Sequence, residues 1–330
     1  MQPTVGTCGI EFSEQLRTLA LAPTARRASL ITLANTVLYM SRLDVARVLC
    51  RELTTSERVD RTPEPDLVMD DPAKVAAYTR AGREDGVMAP VYLFHTTQMC
   101  QVIRPGDTVV DLACGPATQL AQLARLNPDT NFLGIDLSLP MLERAREHVA
   151  ALNLTNVELR RGDITELASI TDTSVDAVIS SMALHHLPSV ALLRRTFCQV
   201  KRVLRPGGGI YLADFGRLHS ARSIFYFAYQ YADRQPELFT LDYLYSLRAA
   251  FSVDDFRQAS TVLGDAARLA STFGAAFMVS IKSPTRRKLS EPLLGELGRL
   301  WVAMLPYHKA DFRNLKLVFA LGGLRSSTRL

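Results

Sequence analysis

The chain has 330 residues, 48% of them hydrophobic, enough for one large domain with additions or for two smaller ones. Its 38 basic residues interleave with 33 acidic ones for a net charge of +5, too mild and too scattered to make a nucleic-acid track. Five cysteines, at 8, 50, 100, 114 and 198, form no C-x-x-C pair, which argues for a reducing cytoplasm and against a disulfide framework or a zinc site. No metal is therefore expected.

The amino-terminal residues lack a basic-then-apolar leader, and Leu30 to Met40 is too short and too polar to span a bilayer. A soluble, cytoplasmic protein is the expectation. Residues 13 to 53 place apolar side chains at helical spacing, for example Leu16, Leu19, Ala20 and later Leu43, Ala46, Leu49, Leu53. Two or three helices follow from that pattern, reading as a packed appendage or a dimerisation element. Thr54 to Asp71 is polar and charged, with Pro63 and Pro65, and reads as a linker, so 1–70 is expected to be an extension. A helix begins at Asp71-Pro72 and carries Val75, Ala76 and Tyr78; a loop at Gly82 to Gly86 leads into Val91-Tyr92-Leu93-Phe94-His95.

The stretch Val109-Val110-Asp111-Leu112-Ala113-Cys114-Gly115-Pro116-Ala117-Thr118 organises the rest. β-Branched residues lead into an acid, small residues and a Gly-Pro break follow, and Leu120, Leu123 and Ala124 then recur at helical spacing up to Asn127-Pro128. That is a buried strand, a tight turn and a helix, with Pro116 suited to the first helical turn. The next strand, Asn131 to Ile135, ends in Asp136, where a carboxylate can accept from both hydroxyls of a ribose. Val157 to Arg160 ends in Gly162-Asp163, and Val175 to Ile179 ends in Ser180-Ser181-Met182-Ala183-Leu184-His185-His186. A helix from Ser189 to Leu204 closes at Arg205-Pro206-Gly207-Gly208-Gly209, and Ile210 to Ala213 ends in Asp214. A nicotinamide dinucleotide is the competing ligand, but it calls for G-x-G-x-x-G, and the first turn holds one glycine.

The set VVDLACGPATQ, FLGIDLSLPMLERARE, VELRRGDI, VDAVISSMALHHL and LRPGGGIYLADF, in that order, resembles the class I S-adenosylmethionine-dependent methyltransferases, most of all the small-molecule branch around the quinone-biosynthesis enzymes. The resemblance runs over 107 to 216 and more weakly from about 71 to 283. It implies an α/β, Rossmann-like, seven-stranded and mostly parallel sheet with helices on both faces and an antiparallel last strand. It implies S-adenosyl-L-methionine as cofactor, with Asp111, Gly115 and Ser180 at the methionine end, Asp136 at the ribose, Asp163 and the backbone around Ile164 at the adenine, and Ala113 and Leu137 also among the cofactor-binding residues. Ser181 would border the methyl group. Ala113 and Ala117 stand where the family often has glycine; a methyl group is tolerable there if the backbone keeps negative φ. The segment before the first strand would fold over the cofactor, which makes Tyr78, Tyr92 and His95 substrate-pocket candidates.

Arg217 to Ser252 inserts a lid-like segment holding Ile224-Phe225-Tyr226-Phe227-Ala228-Tyr229-Gln230-Tyr231. More aromatics crowd there than one helical face holds, so Tyr226 and Tyr229 are expected to wall a pocket for an apolar or aromatic acceptor. Residues 266 to 283 read as the last two strands, a hairpin, and 284–330 as a helical extension whose cluster Arg286, Arg287, Lys288 is a solvated surface. The expected domains are 1–70, 71–283 with the insertion at 217–252, and 284–330. Methyl transfer from a sulfonium needs alignment and exclusion of water, and a base only where the acceptor must lose a proton. His185 and His186 are the candidates for that base, with Asp214 a second polar group able to face the pocket. A small-molecule acceptor, no nucleic acid, no membrane span and a homodimer built on the helical appendages complete the expectation. A macromolecular acceptor, or a repurposed binder of the methyl donor, are the other readings.

Overall fold

The computed structural model describes residues 42–66, 68–82 and 85–325. The expected helices around Leu16, Leu19 and Ala20 lie outside these. The chain divides into two compact units, Met1–Ala46 and Arg47–Leu330.

After α1 (Arg42–Thr54), residues 55–66 and 68–71 run without helix or strand to α2 (Pro72–Ala81), whose first turn is capped by the Asp71 carboxylate accepting from the backbone N–H groups of Ala73 and Lys74. α3 (Ala89–Val102) precedes the sheet. Then β1 (Thr108–Leu112), α4 (Thr118–Leu126), β2 (Asn131–Asp136), α5 (Leu139–Ala151), β3 (Val157–Arg161), β4 (Val175–Ser181), α6 (Val190–Val203) and β5 (Leu204–Phe215) alternate in the manner of an open, doubly wound fold. Helices α7 (Ala221–Tyr229), α8 (Glu237–Ala249) and α9 (Val253–Ser260) precede the hairpin of β6 (Arg268–Ser271) and β7 (Met278–Lys282). The chain closes with α10 (Glu291–Ala303) and α11 (Pro306–Leu321).

The seven strands lie in the order β3-β2-β1-β4-β5-β7-β6. All pairs are parallel except those that β7 makes with β5 and β6, so β7 alone runs against the others. The expected Rossmann-like sheet is present. Its order reverses beside β1, and β1 pairs with β2 on one side (Asp111 opposite Gly134) and with β4 on the other (Asp111 opposite Ile179). This registers the carboxyl ends of four strands into one crevice, the place where such sheets take ligands.

Burial explains α3. It is buried almost all round, because the sheet lies on one side and α10 and α11 cover another; Phe94 stacks on Phe319 with centroids 5.1 Å apart. The carboxyl-terminal helices are thus part of the main core. Arg286 and Arg287, read from sequence as solvated, are clamps instead. The Arg286 guanidinium donates to the Asp107 carboxylate (2.5 Å) and to Val102 O (2.8 Å), and Arg287 donates to Cys100 O (2.8 Å) and to Asn127 Oδ1. They tie the chain after β7 to the end of α3, which a basic run in sequence does not reveal.

Candidate active site

The first loop departs from the sequence expectation. Ala113, Gly115 and Ala117 all have positive φ (54°, 54° and 58°), so the two alanines occupy the left-handed region that favours glycine. Pro116 accordingly lies outside the helix, which starts at Thr118 with Ala117 as its cap. The reason is a tight reversal: Ala117 N–H reaches Cys114 O at 3.0 Å, and Cys114 N–H reaches Ile135 O at 3.0 Å. At Gly115 an added Cβ would meet nothing within 4 Å, because the position opens into a cavity.

That cavity, of about 320 Å³, lies along the carboxyl edge of the sheet. Of the residues singled out from sequence, Ala113, Gly115, Asp136, Leu137, Asp163, Ile164, Tyr78 and His186 line it. Asp136 is its best-held acid: one carboxylate oxygen accepts from Gly115 N–H and the other from Ser138 N–H, each at 2.8 Å. Each oxygen keeps a further lone pair for a ligand hydroxyl. Asp163, fixed by an accepted bond from Thr165 N–H at 2.7 Å, closes one end.

Asp111 is buried at the end of β1 and is not among the lining residues; burial, followed by the nearby Asp136 charge, pushes its carboxyl up to about 8. An ammonium group would restore its ionised form. Ser180 is not at the cavity; its hydroxyl donates to Leu112 O at 2.9 Å and ties β4 to β1. Tyr92, Tyr226 and Tyr229 are also not among the lining residues. Tyr92 is buried on α3, Tyr226 is buried edge-on to Phe227 (5.3 Å between centroids), and Tyr229 stacks on Phe225 at 4.2 Å. The aromatics of the insertion satisfy one another. His95 is wholly buried with Nδ1 2.7 Å from Tyr211 Oη, and burial lowers its pKa to about 3.

The His-His pair sits in a 3₁₀ turn, Leu184–His186, immediately after β4, and its rings lie 4.3 Å apart. His186 reaches the cavity, whereas His185 lies beneath, 2% exposed. Asp214 holds His185 from below, with Oδ1 2.7 Å from Nδ1. Asp214 is therefore buried under the site and does not face the pocket.

One contributor is absent from the sequence reading. Glu64, in the segment taken for a linker, places Oε1 3.6 Å from His185 Nε2 and Oε2 3.2 Å from His186 Nδ1. Burial works to raise its pKa, but His186, then His185 and the Ser246 hydroxyl, bring it down to about 2. In return Glu64, with Asp242 and Asp214 behind it, raises His186 against the effect of burial. Arg61 fastens the segment. Its guanidinium donates to Ala249 O (2.7 Å), Pro188 O (2.8 Å), His185 O (2.9 Å) and Leu187 O (2.5 Å), and lies 3.9 Å over the Phe251 ring. Val68 and Met69 continue it along the cavity wall. The available signal was Pro63-Glu64-Pro65, in which two prolines restrict the backbone around one acid.

A doubly wound sheet with an acid at the end of β2, a small-residue first loop and a cavity along its carboxyl edge defines a domain for an adenosine-bearing cofactor. Residues 103–239 match a family described as "Methyltransferase domain". An arsenite methyltransferase of Halobacterium salinarum is 38% identical over 111 residues, 33% of this chain and 27% of that protein. A demethylmenaquinone methyltransferase of Symbiobacterium thermophilum is 36% identical over 107 residues, 32% of this chain and 41% of that one. The crystal structure of a SAM-dependent methyltransferase from Aquifex aeolicus superposes with a TM-score of 0.48 at 18% identity, covering 65% of this chain and 98% of that one. The matched part of the chain thus spans between about a quarter and two fifths of the two curated relatives' lengths. Residues 103–239 thus carry the sequence of a methyltransferase domain. Among the described residues no helix is long and apolar enough to cross a membrane.

Proposed function

We propose that the protein transfers a methyl group from S-adenosylmethionine to a small, largely apolar acceptor seated at the His186 end of the cavity. The observation that carries the reading is the cavity itself. A doubly held Asp136 and the open space at Gly115 stand on one side of it, and the His186 imidazole enters it beside Met182 and Leu187. When bound, the cofactor supplies a methyl already activated by a sulfonium charge. The rest falls to the chain's own groups. Asp136 would accept from the ribose hydroxyls, Asp163 from the adenine amine, and Asp111 would pair with the amino-acid ammonium. Tyr78, Met69 and Met141 exclude water from the line of transfer. His186 takes the acceptor's proton where it has one to lose, and Glu64 sets how readily it does so. His185 and Asp214 position that turn.

The acceptor class rests on the apolar wall of the cavity and on the relatives, which are named for arsenite and for a demethylmenaquinone. The test is calorimetric titration with S-adenosylmethionine and S-adenosylhomocysteine, with Asp136→Ala as control, followed by methyl transfer to a panel of quinol, phenol and aliphatic acceptors. Binding lost in the variant and turnover with an apolar acceptor are expected. Absence of binding in the unaltered chain would end the reading, and turnover only with RNA or protein would end its small-molecule part.

A further inference from the structure

The Glu64, His185 and His186 cluster has a geometry that methyl transfer does not require. Their ligand atoms, one carboxylate oxygen and two ring nitrogens, all lie within 4.8 Å of one another. His185 Nε2 and His186 Nδ1 are both buried and neither makes a hydrogen bond, although each stands beside the same carboxylate. His185 cannot turn away. Its Nδ1 is held by Asp214, which in turn accepts from the backbone N–H groups of His185 (2.8 Å) and Phe215 (2.6 Å). With Nδ1 turned to Asp214, Nε2 faces Glu64 Oε1 at 3.6 Å, within ion-pair distance and beyond hydrogen-bond range. The Glu64 carboxylate is likewise fixed, accepting from the Ser246 hydroxyl at 2.8 Å.

A cation held between the carboxylate and the two ring nitrogens would satisfy all three groups, and a proton on Nε2 leaves the 3.6 Å gap unbridged by a hydrogen bond. A metal ion fits the spacing. Oxygen and nitrogen ligands at about 2.1 Å from a tetrahedral zinc are about 3.4 Å from each other. The nitrogen–oxygen separations here, 3.6 Å from His185 Nε2 to Oε1 and 3.2 Å from His186 Nδ1 to Oε2, lie near that value, each to a different oxygen of the one carboxylate. The carboxylate on the far nitrogen of His185 is the support that ligating imidazoles usually have. Asp242 is a further acid in electrostatic reach of all three groups, and its charge favours a cation.

We propose that Glu64, His185 and His186 bind one divalent transition-metal ion of the class that prefers imidazole and carboxylate, such as zinc or iron(II). Three protein ligands leave an open position, and of the three residues His186 borders the cavity, its Nδ1 buried behind the lining. An acceptor hydroxyl bound there would ionise more readily, releasing its proton to solvent and relieving His186 of that task. Spacing in sequence gives no sign of such a cluster, because its third member lies 121 positions before the His pair.

The site rests on this cluster and not on methyl transfer, and its test reads metal alone. The full chain is stripped with a chelator and titrated with cobalt(II), whose visible ligand-field bands report a four- or five-coordinate nitrogen–oxygen site, and zinc is then added to displace it. One cobalt per chain is expected at neutral pH, with affinity reduced at least about tenfold in Glu64→Gln, His185→Ala and His186→Ala, and by about ten- to a hundredfold in Asp214→Asn. Glu64→Gln preserves shape, and circular dichroism checks that each variant is folded. Absence of stoichiometric binding, or equal binding in folded Glu64→Gln and His186→Ala, would overturn the proposal. Titration of the same samples with S-adenosylhomocysteine keeps this result separate from the fate of the methyltransferase reading.

Discussion

Asp214 grips His185 at two points: its Oδ1 lies 2.7 Å from the ring Nδ1, while its Oδ2 accepts the backbone N–H of His185 at 2.8 Å. One acid at the end of β5 thereby fixes both the place and the ring orientation of a residue in the turn after β4. Asp214→Asn keeps the size and can keep the backbone bond, but its amide presents a donor to Nδ1. The ring proton should then move to Nε2. Imidazole nitrogen-15 spectra are expected to show the tautomer reversed, with turnover down by about ten- to a hundredfold in a folded protein. An unchanged tautomer would mean that Asp214 serves only to end the strand.

Glu64 makes stability fall in acid. Its pKa drops from an ordinary 4.5 to about 2 on folding, so its contribution is present above 4.5 and is lost as the pH falls towards 2. Asp111 acts in the other direction, being raised from 3.8 to about 8, so the ligand-free fold weakens as the pH climbs between those values. Denaturant midpoints across this range should pass through a maximum in mildly acidic solution. Glu64→Gln is expected to flatten the acid limb and Asp111→Asn the limb above it.

The raised pKa of Asp111 also predicts proton release on binding. Near neutral pH most of the ligand-free protein carries a proton on this carboxyl, and an ammonium group against it favours the charged form. Calorimetry of S-adenosylmethionine binding in buffers of different ionisation enthalpy should give close to one proton released per ligand at about pH 7. In Asp111→Asn that release should vanish, with weaker binding.

His186 should set the acid limb of activity. Burial works to lower its pKa, but Glu64 outweighs this and holds it above the ordinary 6.5. With the chelated enzyme, kcat/KM is expected to rise with pH through an apparent pKa above that of a free imidazole. In Glu64→Gln the rise should move to lower pH. A limb that does not move would separate Glu64 from the histidine.

Sheet and cofactor edge were legible because each signal was local. Val109 to Asp111 and Phe132 to Asp136 show, in a few consecutive residues, an apolar run ending in an acid, and a parallel strand pair sets such acids side by side. The acceptor end was less legible because it is assembled from distant pieces. Glu64 sits in a polar, proline-containing stretch that composition marks as linker, and only the four carbonyls gathered under Arg61 make it a wall of the site. The aromatics at Tyr226 and Tyr229 are not among the cavity's lining residues: the crowding in sequence is taken up by stacking within the insertion and on Phe277, which lies 4.3 Å from Phe227. Backbone angles at Ala113 and Ala117 depend on the turn they must make and leave no mark in residue type.

Those two alanines can be separated by substitution. Each sits at positive φ, at a cost of about 1 kcal/mol relative to glycine. Ala113 is half-buried at the cavity, so Ala113→Gly should stabilise the protein by up to about 1 kcal/mol, less the added freedom of the unfolded chain. Ala117 is fully buried, and removing its methyl costs about 0.8 kcal/mol, so Ala117→Gly should come out near neutral. Chemical denaturation decides; equal effects would mean that strain is not what distinguishes the two positions.

Arg61 is where stability and the site meet. Its guanidinium serves carbonyls of the His-His turn and of the end of α8, and Thr62 N–H adds a bond to Arg248 O at 2.9 Å. Arg61→Ala removes a charged donor from four acceptors at once and should cost about 3 kcal/mol. Arg61→Lys keeps the charge but not the planar fork, and is expected to recover only part of that loss. The diagnostic readout is His186. If the segment is held in place by Arg61, the Ala variant should let Glu64 drift from the imidazole, and the histidine pKa, followed by proton NMR, should fall towards or below the ordinary value. A destabilised variant with an unmoved His186 pKa would show that Glu64 is anchored by Ser246 alone, and that the segment wraps the site without controlling it.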